Sequence, residues 1–241
     1  MDKLPSDDTR VDDQLFPPPY EATASTSFGT ASAAPAPTPN GAVRAVEKIA
    51  PGTKLQDLLG TTQAPIEFHA YRDSKLYGKD VRVLGPDKQT LEFYLRFPRN
   101  WSGRWEMSLR RGSPEGPEVC EIRKGNSLKD SFTVVWPEGL ETECRKRSHF
   151  NTQYEFEAGP EKYRWRADSV NKSMYNYTLW KDSEMELPES ERTPVAHWRT
   201  AWAAVVKAGC LLINPAHSHE VELILATALG LEERCREWRG E

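Results

Sequence analysis

Val221-Glu-Leu-Ile-Leu-Ala-Thr-Ala-Leu-Gly-Leu231, near the end of this 241-residue chain, is the stretch around which the rest is organised. Ser218 precedes it as a candidate N-cap, because its hydroxyl can accept a bond from an early backbone N–H. Glu220 and Glu222 fall in the first turn, and Arg234, Arg236 and Arg239 lie at the far end. The helix dipole favours that order of charges, so the stretch is predicted to be a helix. Leu223, Ile224, Leu225, Ala226, Ala228 and Leu229 go most of the way round it, interrupted by Glu222 and Thr227. A helix apolar on all sides is enclosed by protein or by lipid. The run is well short of the ~20 apolar residues of a membrane span, and charges follow at once. The expectation is a helix threaded into a protein core. The alternative is a helix laid on one face of a sheet with Ala and Gly outward.

The enclosing layer is legible upstream. From about residue 64 the chain breaks into short runs: Ile66–Tyr71, Asp80–Leu84, Thr90–Phe97, Arg104–Arg111, Glu118–Arg123 and Ser131–Trp136. Leu140–Arg145, His149–Glu157, Lys162–Ala167, Tyr175–Trp180, Pro194–Trp198 and Ala203–Ile213 follow. Leu91-Glu-Phe93-Tyr-Leu95-Arg-Phe97 and Tyr163-Arg-Trp165-Arg alternate with period two, which buries one face of a strand and wets the other. Gly85-Pro86-Asp87-Lys88, Trp136-Pro137-Glu-Gly139 and Gly159-Pro160 are turn signals between runs. Short strands in series without intervening helices indicate an antiparallel all-β domain. Closing it into a barrel removes the strand edges, and a barrel of about twelve strands is too wide for its own side chains to fill. The apolar helix supplies the plug. The predicted fold is mainly β: an antiparallel closed barrel of about twelve strands enclosing a C-terminal hydrophobic helix.

Residues 1–45 read as a disordered tail rich in Pro, Ala, Ser and Thr, unable to bury enough apolar surface to offset its ordering entropy. Residues 46–63 read as a linker in which Thr53 caps a short turn carrying Leu55, Leu58 and Leu59. Residues 64–241 form the barrel domain. Within the tail, Pro17-Pro18-Pro19-Tyr20 fits the Pro-Pro-x-Tyr pattern bound by WW domains. The prolines preform an extended left-handed helix, so binding orders little more, and the tyrosine adds an amphipathic ring for an aromatic groove.

A net charge of -4 argues against a general nucleic-acid binder. The N-terminus shows neither a secretory pattern nor the Met-Gly start of a myristoylated chain. The expected location is cytoplasmic, with contact to a membrane only at its periphery. Cys120, Cys144, Cys210 and Cys235 are widely spaced and form no Cys-x-x-Cys pair, so they are expected as reduced thiols. His217 and His219 alternate beside Ser218 but lack further ligands nearby in sequence, and no metal site is expected. His69, His149 and His197 are isolated, and satisfied structural roles are expected of them. No nucleophile elbow, His-Glu-x-x-His or phosphate-binding glycine loop occurs, which points to a non-enzyme without a cofactor.

Trp101-Ser-Gly103-Arg-Trp105-Glu-Met107, Tyr154-Glu-Phe156-Glu-Ala-Gly159, Tyr163-Arg-Trp165, Val195-Ala-His-Trp198 and the terminal helix together resemble the tubby C-terminal-like superfamily. That group holds the tubby, LURP-one-related and phospholipid scramblase families. The resemblance spans about residues 64–241 and implies a twelve-stranded barrel around a central helix. Pro17, Pro18 and Tyr20 are similar to the proline-rich tails of scramblases. Two scramblase features are missing: the cysteines are scattered rather than clustered for acylation, and Ile213–His219 has no run of carboxylates for calcium.

Basic residues cluster at Arg96, Arg99 and Arg104, at Arg110-Arg111, along Lys162, Arg164 and Arg166, and at Arg145-Lys146-Arg147. The last triplet is the candidate site for an anionic membrane lipid. The expected function is that of a non-enzymatic adaptor. Its tail recruits a WW-domain protein such as a HECT-type ubiquitin ligase, and its barrel binds a lipid headgroup or a protein. A scramblase-type lipid transporter and a small-ligand-binding barrel are the alternatives.

Overall fold

The computed structural model describes residues 59–72, 80–101, 104–124, 130–147, 153–167, 176–201 and 207–239. The tail motif Pro17–Tyr20 and the Thr53 turn lie outside the described residues. Of the expected linker, residues 59–63 are described, and Leu59 is fully buried.

Twelve strands follow one another as an antiparallel meander: β1 (Ile66–Arg72), β2 (Val81–Leu84), β3 (Leu91–Trp101), β4 (Arg104–Arg111), β5 (Glu118–Lys124) and β6 (Ser131–Val135). They continue as β7 (Glu141–Lys146), β8 (Gln153–Ala158), β9 (Glu161–Ala167), β10 (Asn176–Lys181), β11 (Ala196–Thr200) and β12 (Lys207–Ile213). Each strand pairs with its sequence neighbours, and β1 pairs with β12 from Ile66 opposite Ile213 to Tyr71 opposite Lys207, which closes the barrel. Alternation sets the two faces. In β7, Thr142 and Cys144 point into the core while Glu141, Glu143 and Arg145 face out.

The interior is filled by helix α1 (Val221–Arg239). Ile224 to Leu229 are all buried, and six consecutive residues cover every direction round a helix axis, so protein surrounds it. Strands on several sides hold it. Trp165 of β9 donates its indole N–H to Thr227 at 3.1 Å, Trp198 of β11 donates to Glu232 at 3.1 Å, and the ring of Phe132 of β6 lies against Gly230. Burying Ile224, Leu225, Leu229 and Leu231 contributes roughly 2 kcal/mol each.

One local expectation is corrected. Ser218 does not cap α1, which is entered instead through a 3-10 turn, Pro215–Glu220. Asn214 caps that turn, accepting the Ala216 N–H at 3.1 Å and donating to the Pro194 carbonyl at 3.2 Å. Proline in the first turn suits this entry, because its missing N–H would be unpaired there anyway. Glu232, Glu233, Arg234 and Arg236 are buried like the apolar half, so the barrel encloses charges as well as hydrocarbon.

Candidate functional site

A strand places consecutive side chains on opposite faces, and this decides the fate of the basic triplet. Arg145 and Arg147 are exposed on the outer wall, whereas Lys146 turns inward at the mouth that receives the C-terminal end of α1. Its ammonium lies 3.5 Å from Asp130 and 3.6 Å from the centre of the Trp238 ring. The triplet is therefore two outward cations and one buried ion-pair member.

The mouth holds a network. Lys124, with a side chain 2% exposed, donates to Glu237 at 2.8 Å. Arg234 bridges Glu237 and Asp130. For Glu237 the largest influence is burial, which pushes its pKa up. Hydrogen bonds from Lys124 and Arg234 outweigh it and hold the carboxyl below its ordinary range. Asp130 is lowered in the same way, against burial, by Arg234 and Lys146.

On the outer wall, β7, β8 and β9 shape a groove of about 200 Å³. Glu141, Glu143, Glu155 and Glu157 line it with Arg145 and Lys162. Arg145 donates to Glu155 at 3.1 Å and Lys162 approaches the same carboxylate at 3.3 Å. Four carboxylates against two cations make this surface acidic rather than basic. Other basic clusters are engaged as well: Arg110 with Glu118 at 3.3 Å, Arg111 with Glu222 of α1, and Arg164 with Asp182.

A different convergence was not readable from spacing. Glu67 and His69 share one face of β1, and Cys210 stands opposite His69 on β12. Their ligand atoms lie within 4.8 Å of one another. His69 is 2% exposed, and among the described residues neither ring nitrogen makes a hydrogen bond of acceptable geometry. The expectation of a satisfied structural histidine is thus corrected for His69, while His197 meets the Thr178 hydroxyl at 3.0 Å. Burial first, and then the neighbouring Glu67 carboxylate, push the Cys210 thiol up to about 12. That is the opposite of what an activated cysteine nucleophile requires.

Comparison with protein-family models, curated proteins and solved structures finds no match to this chain.

Proposed function

We propose that this chain is a non-enzymatic adaptor of the tubby-like kind. Its Pro17–Tyr20 tail motif recruits a WW-domain protein, such as a HECT-type ubiquitin ligase, and its barrel presents an outer docking surface to a second partner. The observation that carries this reading is the packing of α1: the chain's own helix takes up the barrel interior, so the outer wall is what a partner of the barrel meets. The acidic groove on β7–β9 suits a protein segment bearing Lys or Arg. A Tyr20→Ala change in the full chain is expected to weaken binding to a WW domain roughly thirtyfold by calorimetry, the loss typical of a buried aromatic anchor. Unchanged affinity would remove the motif from the argument.

A second reading keeps the anionic lipid headgroup, because Arg145 and Arg147 are exposed on one face. At ~1 kcal/mol per cation near a membrane surface, reversing both to Glu is expected to weaken flotation with phosphoinositide vesicles at least thirtyfold. Lys146 is left out of that test because its change would break the Asp130 pair. Equal flotation of wild type and variant would leave the groove as the docking surface. The scramblase-type alternative has less support. The turn at the helix entrance carries one carboxylate, Glu220, already bonded by the Tyr163 hydroxyl at 2.6 Å and held by His217 at 2.6 Å. No helix among the described residues is long and apolar enough to cross a membrane.

A further inference from the structure

We propose that Glu67, His69 and Cys210 form a binding site for one divalent transition metal of the zinc class, with three protein ligands and a fourth position for water. The inference does not depend on the adaptor reading. Residues two apart on a strand share a face, and cross-strand partners stand side by side, so Glu67, His69 and Cys210 are adjacent by construction. The two strands are those that close the barrel, and their ladder runs unbroken from Ile66 to Ala70.

The two separations that meet at Glu67 fit a common metal ion. His69 Nε2 is 3.1 Å from Glu67 Oε1, and Cys210 Sγ is 3.5 Å from the same oxygen. Tetrahedral zinc, with bonds of ~2.0–2.2 Å to nitrogen and oxygen and ~2.3 Å to sulfur, sets such donors about 3.4 and 3.6 Å apart. The third pair, His69 and Cys210, lies within 4.8 Å, against about 3.6 Å in a tetrahedral site, so side-chain movement of up to about an ångström completes it. His69 supplies independent evidence. Its ring lies in the barrel wall with both nitrogens buried and, among the described residues, lacking hydrogen bonds of proper geometry, although a carboxylate stands 3.1 Å away. Two groups placed close together but not aimed at each other are arranged as two ligands of a third atom are. A buried polar group left unpaired is costly, and metal coordination removes that cost.

The chemistry of the donor set selects the ion. A thiolate, an imidazole and one carboxylate suit zinc and its neighbours, whereas calcium and magnesium want more oxygens. On binding, the Cys210 S–H bond breaks, a metal–sulfur bond forms, and the proton leaves to solvent. Neutral His69 contributes a nitrogen lone pair, and Glu67 is already a carboxylate. Thiolate and carboxylate then cancel the double positive charge, so the half-buried complex is neutral. Lys88, Lys207 and Arg199 act on these groups and oppose a bare cation, so both anionic donors have to be engaged.

The test is a cobalt(II) titration of the full chain followed by absorption. One equivalent is expected to bind, with a thiolate-to-cobalt band in the near ultraviolet and the strong visible bands of four-coordination. Loss of an outer-shell partner already costs a metal site 10–100-fold, so Cys210→Ser and His69→Gln are each expected to weaken binding about a hundredfold or more. Cys210→Ser is also expected to abolish the ultraviolet band, with the metal-free melting of both variants close to wild type. A measurement on wild type alone covers a variant that fails to fold. Zinc is expected to protect Cys210 from alkylation, read by mass spectrometry, with the buried Cys120, Cys144 and Cys235 as references. No uptake, uptake without a thiolate band (as a site at His217 and His219 would give), or alkylation of Cys210 unaffected by zinc would each overturn the proposal.

Discussion

Replacing Glu237 with Gln is expected to lower the unfolding free energy of the barrel by about 3 kcal/mol, near the lower end for breaking a buried ion pair. The reason lies in Lys124, whose ammonium is almost wholly enclosed and whose described carboxylate partner is Glu237, at 2.8 and 3.1 Å from its two oxygens. A neutral amide leaves that charge desolvated without compensation. Arg234 loses one partner too but keeps Asp130. Glu237 is itself about a fifth exposed, with 22% side-chain accessibility, which places the cost at the lower end. Replacing Lys124 and Glu237 together by Met and Leu is expected to be close to neutral, since removing both charges removes the desolvation as well as the attraction. Urea midpoints for the two variants decide the point. A single variant within about 0.5 kcal/mol of wild type would mean that water reaches Lys124.

Two carboxylates at this mouth, Glu237 and Asp130, set an acid response. Glu237 and Asp130 are held below their ordinary pKa in the folded state, by hydrogen bonds that outweigh the upward push of burial. The unfolded chain therefore takes up protons first as pH falls. The stabilisation is complete above the unfolded carboxylate pKa of about 4 and is lost as pH drops from there through the lowered folded values. Glu237→Gln is expected to flatten that slope, measured as unfolding midpoint against pH between about 6 and 3.

Gly230→Leu is the second change with a large expected effect, a loss of at least about 3 kcal/mol, at the severe end of over-packing. A Cβ at Gly230 would stand 2.4 Å from one carbon of the Phe132 ring and 2.8 and 2.9 Å from two others. The ring is 1% exposed and set in the barrel wall, and the helix is enclosed on its other sides. Neither partner has space to retreat into. Glycine costs a helix interior about 1 kcal/mol against alanine, so its place in α1 reflects the close approach of the ring rather than helix propensity. Phe132→Ala alone is expected to cost about 3–5 kcal/mol by opening a cavity. The double variant puts the new Leu side chain into that cavity, and its loss is expected to fall well below the sum of the two single losses. Additive losses would show that Gly230 and Phe132 do not oppose each other in solution.

Much of the architecture could be read in the chain because it depends on local pattern. Leu91–Phe97 and Tyr163–Arg166 alternate with period two, and the turn residues at Gly85–Lys88 and Gly159-Pro160 mark where strands reverse. The largely apolar circumference of Leu223–Leu229 demanded a surrounding, and a wide barrel demanded a filling. Each requirement answered the other, and together they led to an enclosed helix. The start of that helix was read less well. Ser218 has the right chemistry for a cap, but Asn214 lies where the chain leaves β12 and can also reach the Pro194 carbonyl, a contact no sequence window contains.

The sites divide along the same line. Arg145, Lys146 and Arg147 are adjacent in sequence, but strand alternation sends Lys146 to Asp130 and Trp238 and leaves its neighbours outside. Period two was available to foresee this split, whereas the partners of Lys146 were not. Glu67, His69 and Cys210 show the reverse case. Cys210 is far from the other two in the chain and meets them because the first and last strands pair, and a closed meander implies that pairing but not its register. The sequence by itself determined strand, turn and buried helix, because those follow from periodicity and from the demand that apolar faces be covered. Only the tertiary structure decided which charges are buried against which partners, and which cysteine and histidine share a face. Those choices follow from the register and the direction of side chains across more than a hundred residues of chain, where local propensity has no influence.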